Sequence, residues 1–143
     1  MKVVYNACHG GFGLSDKAVR RYAEIKGLTL YPEEGTLKII TYWLVPKEQR
    51  TGCLSGDAWY AASREEQMTS NQRYDELTLR PRQIPRHDPV LVQVVEELGK
   101  EANAGFARLQ IRDVPAGSRY RIDEYDGSET VMLDSEYEWQ VAE

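Results

Sequence analysis

The sequence predicts an α+β fold, with an antiparallel or mixed sheet, two main helices packed on one face and a C-terminal three-stranded meander. Three observations carry this expectation. Ser15 to Lys26 and Asp88 to Ala102 show apolar residues at helical spacing behind favourable N-caps. Short segments elsewhere alternate apolar and polar residues with a period of two, and Asp126-Gly127 is a strong two-residue hairpin signal. A chain of 143 residues has the length of one ordinary domain, so a single domain over 1–143 is expected, with 46–85 as a long excursion or insertion.

The elements follow in order. Val3-Val4-Tyr5 reads as a short apolar strand that runs into the loop Asn6-Ala7-Cys8-His9-Gly10-Gly11-Phe12-Gly13. Ser15 then caps a helix, with Leu14 and Val19 placed as a hydrophobic staple. Val19, Tyr22, Ala23 and Lys26 share one face, and Gly27 can end the helix in a left-handed cap. Leu28 to Tyr31 reads as a strand broken by Pro32, Glu33-Glu34-Gly35 as a turn, and Thr36 to Val45 as a longer strand rich in β-branched and aromatic residues. From Pro46 to Pro85 the periodicity fades. Asp57 to Gln67 is a candidate short helix there; such an excursion is either a binding loop or an ordered helix-turn-strand whose pattern is concealed.

Asp88 and Pro89 announce the second helix, since Asp suits the N-cap and Pro the first helical position. Leu91, Val94, Val95, Leu98 and Ala102 form its buried face, so it is expected to be the central helix lying on the sheet. Ala107, Leu109 and Ile111 alternate with Arg108, Gln110 and Arg112, and a second alternation over Tyr120 to Tyr125 leads through the hairpin into Thr130-Val131-Met132-Leu133.

Composition restricts the function classes. The chain is 41% hydrophobic and 29% charged, with a mean hydropathy of −0.58, as in water-soluble globular proteins. No apolar run approaches the roughly 20 residues needed to span a bilayer, and the first residues lack the apolar core of a secretory signal. A cytoplasmic location without membrane partners is expected. Two cysteines and two histidines give neither a disulfide framework nor a zinc set. The net charge of −5 argues against an extended nucleic-acid surface. Locally, however, Arg80, Arg82, Arg86 and His87 form an acid-free run, while Asp134, Glu136, Glu138 and Glu143 form an acidic end. Both also suit plain solvated segments.

Four stretches can carry chemistry. Backbone N–H groups of Gly10, Gly11 and Gly13 could hold an anion at the start of the first helix, although Asp16 already answers the helix dipole and the glycines equally suit a sharp turn. Cys8 could be a nucleophile with His87 as base, but no oxyanion group can be named, and a buried inert thiol is the competing reading. Arg86, His87 and Asp88 precede the second helix, so guanidinium, imidazole and helix dipole could converge on one anion. Finally, Tyr42, Trp43, Trp59, Tyr60, Tyr74, Tyr137 and Trp139 include aromatics that could anchor a protein interface or simply fill a core.

The blocks Asn6 to Ser15, Arg86 to Val92 and Val94 to Gly99, together with Leu109 to Gly127, resemble a family of small uncharacterised bacteriophage proteins. The resemblance spans about two thirds of the chain and leaves Pro46 to Arg80 unmatched. It implies a viral origin, hence the host cytoplasm, and a pairing of the first two blocks around one pocket. The expected function is a non-enzymatic accessory protein, without metal or cofactor, that binds a small anionic or nucleotide-like ligand. The expected ligand-binding residues are Asn6, His9, Gly10, Gly11, Gly13, Arg86, His87 and Asp88. One use of such binding is counter-defence, by sequestering a host immune signal. The alternatives are an inhibitor of a host protein acting through the middle segment and a cysteine-dependent enzyme.

Overall fold

A computed structural model describes residues 1–136 and 140–143. Tyr137 and Trp139, two of the aromatics singled out as interface anchors, and Glu138 of the acidic end lie outside the described residues. The fold is α+β, and the chain divides into two compact units, one of Met1–Lys26 with Pro81–Glu143 and one of Gly27–Arg80. The expected excursion over 46–85 falls mostly in the second unit, which is wider and ordered.

In the first unit, β1 (Lys2–Asn6) pairs antiparallel with β5 (Leu109–Asp113), and β6 (Tyr120–Tyr125) pairs with β7 (Ser128–Leu133) in a separate two-stranded hairpin. The expected three-stranded meander is therefore corrected. Its first strand leaves the hairpin for β1, with Val4 opposite Ile111 and Asn6 opposite Leu109. The turn Pro115 to Ser118, where Gly117 has φ +80°, reverses the chain without joining β5 to β6.

Two helices complete this unit. In α1 (Asp16–Lys26), Ser15 acts as the expected cap, its Oγ accepting the Ala18 N–H at 3.1 Å, and Ala18, Val19, Tyr22 and Ala23 are buried. In α4 (Pro89–Leu98), Asp88 Oδ1 accepts from Val90 N–H at 2.8 Å and Leu91 N–H at 3.3 Å. The helix stops at Leu98 because Gly99 takes φ +56°, and Gly99–Ala102 follows as a tighter turn instead of a further α-helical turn. Helix α4 packs on α1 and on β1 and β5, with Leu91 and Val94 fully buried. A second cluster, Val3, Val114, Val131 and Leu133 with Tyr5, Tyr120 and Ile122 at its margin, ties β1 to the β6–β7 hairpin.

The second unit is a three-stranded antiparallel sheet of β2 (Tyr31–Glu34), β3 (Ile40–Trp43) and β4 (Thr78–Leu79), with helices α2 (Gly56–Ala61) and α3 (Arg64–Leu77). Leu28 to Leu30 are not strand, and β2 instead runs through Pro32 to Glu34. A proline without an N–H is tolerated there because β2 lies at the sheet edge. The candidate helix over 57–67 is broken at Ala62-Ser63. Ser63 starts a new helix, accepting the Glu66 N–H at 3.2 Å and donating to the Glu66 carboxylate at 3.0 Å. The core of this unit gathers around Trp43, whose ring lies 5.4 Å from Tyr74 and carries the Arg50 guanidinium at 4.4 Å. Arg50 in turn reaches Glu33 at 2.6 Å, and buried Ser70 receives the Leu54 N–H at 2.8 Å.

Candidate functional site

Asn6, the last residue of β1, is fully buried and fully bonded. Its Nδ2 donates to the carbonyls of Cys8 at 2.6 Å and Gly127 at 2.9 Å, its Oδ1 accepts the Arg108 N–H at 2.8 Å, and its own N–H goes to Glu129 Oε1 at 2.8 Å. One side chain thus joins the glycine loop, β5 and the β6–β7 hairpin. An asparagine suits this place because its amide supplies donors and acceptor together.

Arg86 lies beside it. Its guanidinium forms a two-pronged pair with Glu129, at 2.6 and 3.0 Å, and sits 3.6 Å from the centroid of the buried Phe12 ring. Its backbone carbonyl accepts the Val4 N–H at 2.8 Å, which covers the edge of β1 that β5 leaves open. The two sequence blocks therefore meet. Their meeting neutralises Arg86: only 15% of its side chain and 8% of that of Glu129 remain exposed, so the expected free positive charge is already paired inside the protein.

The other expected residues divide between packing and surface. Asp88 caps α4 and receives the Tyr22 hydroxyl at 2.9 Å and Lys26 at 3.3 Å. Burial opposes its charge, but the bonds from Tyr22, the Val90 and Leu91 N–H groups and Lys26 prevail and hold its carboxyl below the usual range. Burial, and then Asp88 as acceptor, push the Tyr22 hydroxyl well above its ordinary value. His87 Nδ1 shares a 2.7 Å hydrogen bond with the Tyr120 hydroxyl, the two rings standing edge to face.

Gly10 and Gly13 are required by close packing. A Cβ on Gly10 would overlap the Phe106 carbonyl oxygen, and one on Gly13 would stand 2.8 Å from the Phe106 ring. From the β6–β7 turn, Gly127, at φ +86°, is pressed against the loop so closely that a Cβ there would overlap His9 O and stand 2.7 Å from Gly11 N. Cys8 Sγ donates to Phe106 O at 3.1 Å. Among the described residues neither imidazole is bonded to it, which leaves a thiol without a base.

What remains accessible is the outer rim of the loop. His9 and Gly10 are exposed, and Arg82 brings its guanidinium within 4.0 Å of the Cβ position of Gly11. Arg108 donates to the Ala7 carbonyl at 3.0 Å. Among the described residues neither Arg82 nor Arg108 has a carboxylate partner. Phe106 is 52% exposed while packed on the Gly13 backbone. Glu124, which receives the Gly127 N–H at 3.1 Å, and exposed Asp126 occupy the neighbouring hairpin tip and moderate the positive charge. Sequence reading noted Arg82 within a basic run but missed Phe106, Arg108 and Glu129. Arg108 and Glu129 are placed by strand pairing between distant segments, and the local hint for Phe106 was its position after Gly105 as the one large apolar residue among small ones.

A shallow depression of about 410 Å³ lies elsewhere, along the outer face of α4, lined by Pro89, Val92, Gln93, Glu96 and Glu97. Its acids pair with Lys2 and Arg21, and it contains none of the expected site residues. Among the described residues no cluster of three metal-ligating side chains occurs, and no helix is long and apolar enough to cross a membrane. Comparison of the chain with family models, with curated proteins and with solved structures finds no match.

Proposed function

We propose that the chain is a non-enzymatic phage accessory protein that binds a small anionic, nucleotide-like ligand on the rim of the glycine loop. The observation that supports this reading is the pair of arginines, Arg82 and Arg108, set without carboxylate partners among the described residues, beside exposed loop backbone and the half-exposed Phe106 ring. Guanidinium groups recognise phosphate through paired N–H donors, and an exposed aromatic face accepts a stacked base. Asn6 and Arg86 act beneath this surface as its scaffold. In this reading His9 and the Gly10-Gly11 backbone contribute to the rim. Sequestration of a signalling nucleotide in the host cytoplasm would be one use of such a surface, and the viral origin rests on the resemblance described above.

Calorimetric titration of the full chain with inorganic phosphate and a panel of linear and cyclic nucleotides tests the proposal. A nucleotide is expected to give saturable heat, and Arg82→Ala or Arg108→Ala should weaken it by about tenfold or more, the worth of one charge-assisted hydrogen bond. Silence from the whole panel overturns the reading. That outcome would favour a protein-binding role for the second unit, where Leu37, Ile39, Tyr60 and Met68 are 62–87% exposed.

A further inference from the structure

The β6–β7 hairpin has two outer edges, and they are treated differently. The Arg119–Asp134 hydrogen bond and the register of the hairpin set the parity of the ladder: Arg121, Asp123 and Tyr125 bond across to Met132, Thr130 and Ser128. The backbone groups of Tyr120, Ile122 and Glu124 must therefore point away from β7. On the β7 side the matching outward groups are covered by side chains, Arg112 donating to Val131 O and Glu136 accepting the Leu133 N–H at 3.2 Å. On the β6 side, among the described residues, no hydrogen bond reaches the outward N–H and C=O groups of Tyr120, Ile122 or Glu124. Among the described residues a strand of six residues is thus left with an open edge, which is a template for another strand.

We infer that this edge pairs with β6 of a second copy of the chain, antiparallel, about a two-fold axis at Ile122. Among the pairings that this backbone parity allows near the strand centre, this register is selected by charge. With Ile122 opposite Ile122, Arg121 of each copy faces Asp123 of the other, in the pairs where side chains approach most closely. Sliding the partner by one allowed step in either direction sets Arg121 against Arg121 or Asp123 against Asp123. Within one chain Arg121 and Asp123 already form a 3.0 Å ion pair on the solvent face, so dimerisation exchanges the two pairs of the separate chains for two equivalent ones between them. On the other face Tyr120 and Ile122 border the Val3, Val114, Val131 and Leu133 cluster. Pairing would cover Ile122, which is partly exposed in the single chain, and join the two clusters across a four-stranded sheet.

The test is sedimentation of the full chain over a range of concentrations. The wild-type protein is expected to dimerise reversibly. Asp123→Arg, which places like charges opposite one another twice, should weaken the dimer about tenfold or more, and Arg121→Asp combined with Asp123→Arg should restore it to within about threefold. Circular dichroism of each variant confirms that the hairpin is intact. A wild-type chain that stays monomeric up to about 100 µM overturns the inference, since useful self-association must exceed that affinity in a cell. So does a dimer indifferent to the single change, or one that the double exchange fails to restore.

Discussion

Replacing Gly127 by alanine tests whether the hairpin is seated against the glycine loop. Gly127 and Gly117 both sit in turns at left-handed φ, +86° and +80°, but their surroundings differ. A Cβ at Gly117 meets nothing within 4 Å, whereas at Gly127 it would overlap His9 O and crowd Gly11 N and His9 C. Alanine at either position has the same backbone cost of about 1–2 kcal/mol for a left-handed L-residue. At Gly127 alone, relief of the overlap must also displace the loop, adding about 1–3 kcal/mol as overpacking does elsewhere. Gly117→Ala should therefore lower stability by about 1–2 kcal/mol and Gly127→Ala by about 2–5 kcal/mol. Urea denaturation followed by far-ultraviolet circular dichroism, with amide exchange at Val4 and Val94, reports the first unit. Fluorescence is a poorer probe because two of the three tryptophans, Trp43 and Trp59, belong to the second unit. Equal losses in the two variants, within about 0.5 kcal/mol, would refute the close seating, since independent turn effects then suffice.

Two further outcomes follow from the charges beneath the loop. Arg86→Met leaves Glu129 buried without its partner and should cost about 3–5 kcal/mol, while Arg86→Met with Glu129→Leu should recover most of that. Recovery should fall short by about 1–3 kcal/mol because Asn6 N–H then loses its acceptor, and full recovery in the urea midpoint would contradict the bonding seen at Asn6. Asp88 has a folded-state pKa below its unfolded value, so it stabilises the fold above the unfolded pKa, near 4, and that contribution is lost as pH falls through the lower folded value. Asp88→Ala should lower stability at pH 7 and flatten the acid limb of stability against pH. Parallel acid limbs for variant and wild type would refute the assignment.

The features legible in the sequence were those whose causes are local. The caps at Ser15 and Asp88 satisfy N–H groups two or three residues away, and the Asp126-Gly127 turn needs only two residues of positive φ, as found at 50° and 86°. The break between α2 and α3 has a local cause of the same kind, the Ser63 hydroxyl capping the Glu66 N–H, but reading 57–67 as one helix passes over it. Strand partnership was not. The alternation at Leu109 to Asp113 marks a strand with one buried face and is silent on whether the neighbour is the next strand or one about a hundred residues earlier. The sign of the site was equally concealed, because the acid that neutralises Arg86 stands 43 residues away.

The glycine loop shows why such a motif misleads. A missing Cβ can leave room for a ligand or for another piece of the same chain, and the sequence reads alike in both cases. Here Phe106 fills the space at Gly10 and Gly13, and Gly127 approaches from the hairpin, so the glycines at these positions are consumed by packing. Gly11 differs, with the Arg82 guanidinium at the limit of contact and φ of +91°. Its surroundings alone leave room for a ligand group. The balance of the loop therefore turns on side chains that flank it, Arg82, Arg108 and Phe106, more than on the glycines that first draw notice. If an anion binds here, guanidinium groups hold it, while the tightly packed loop beneath keeps the surface in place before the ligand arrives.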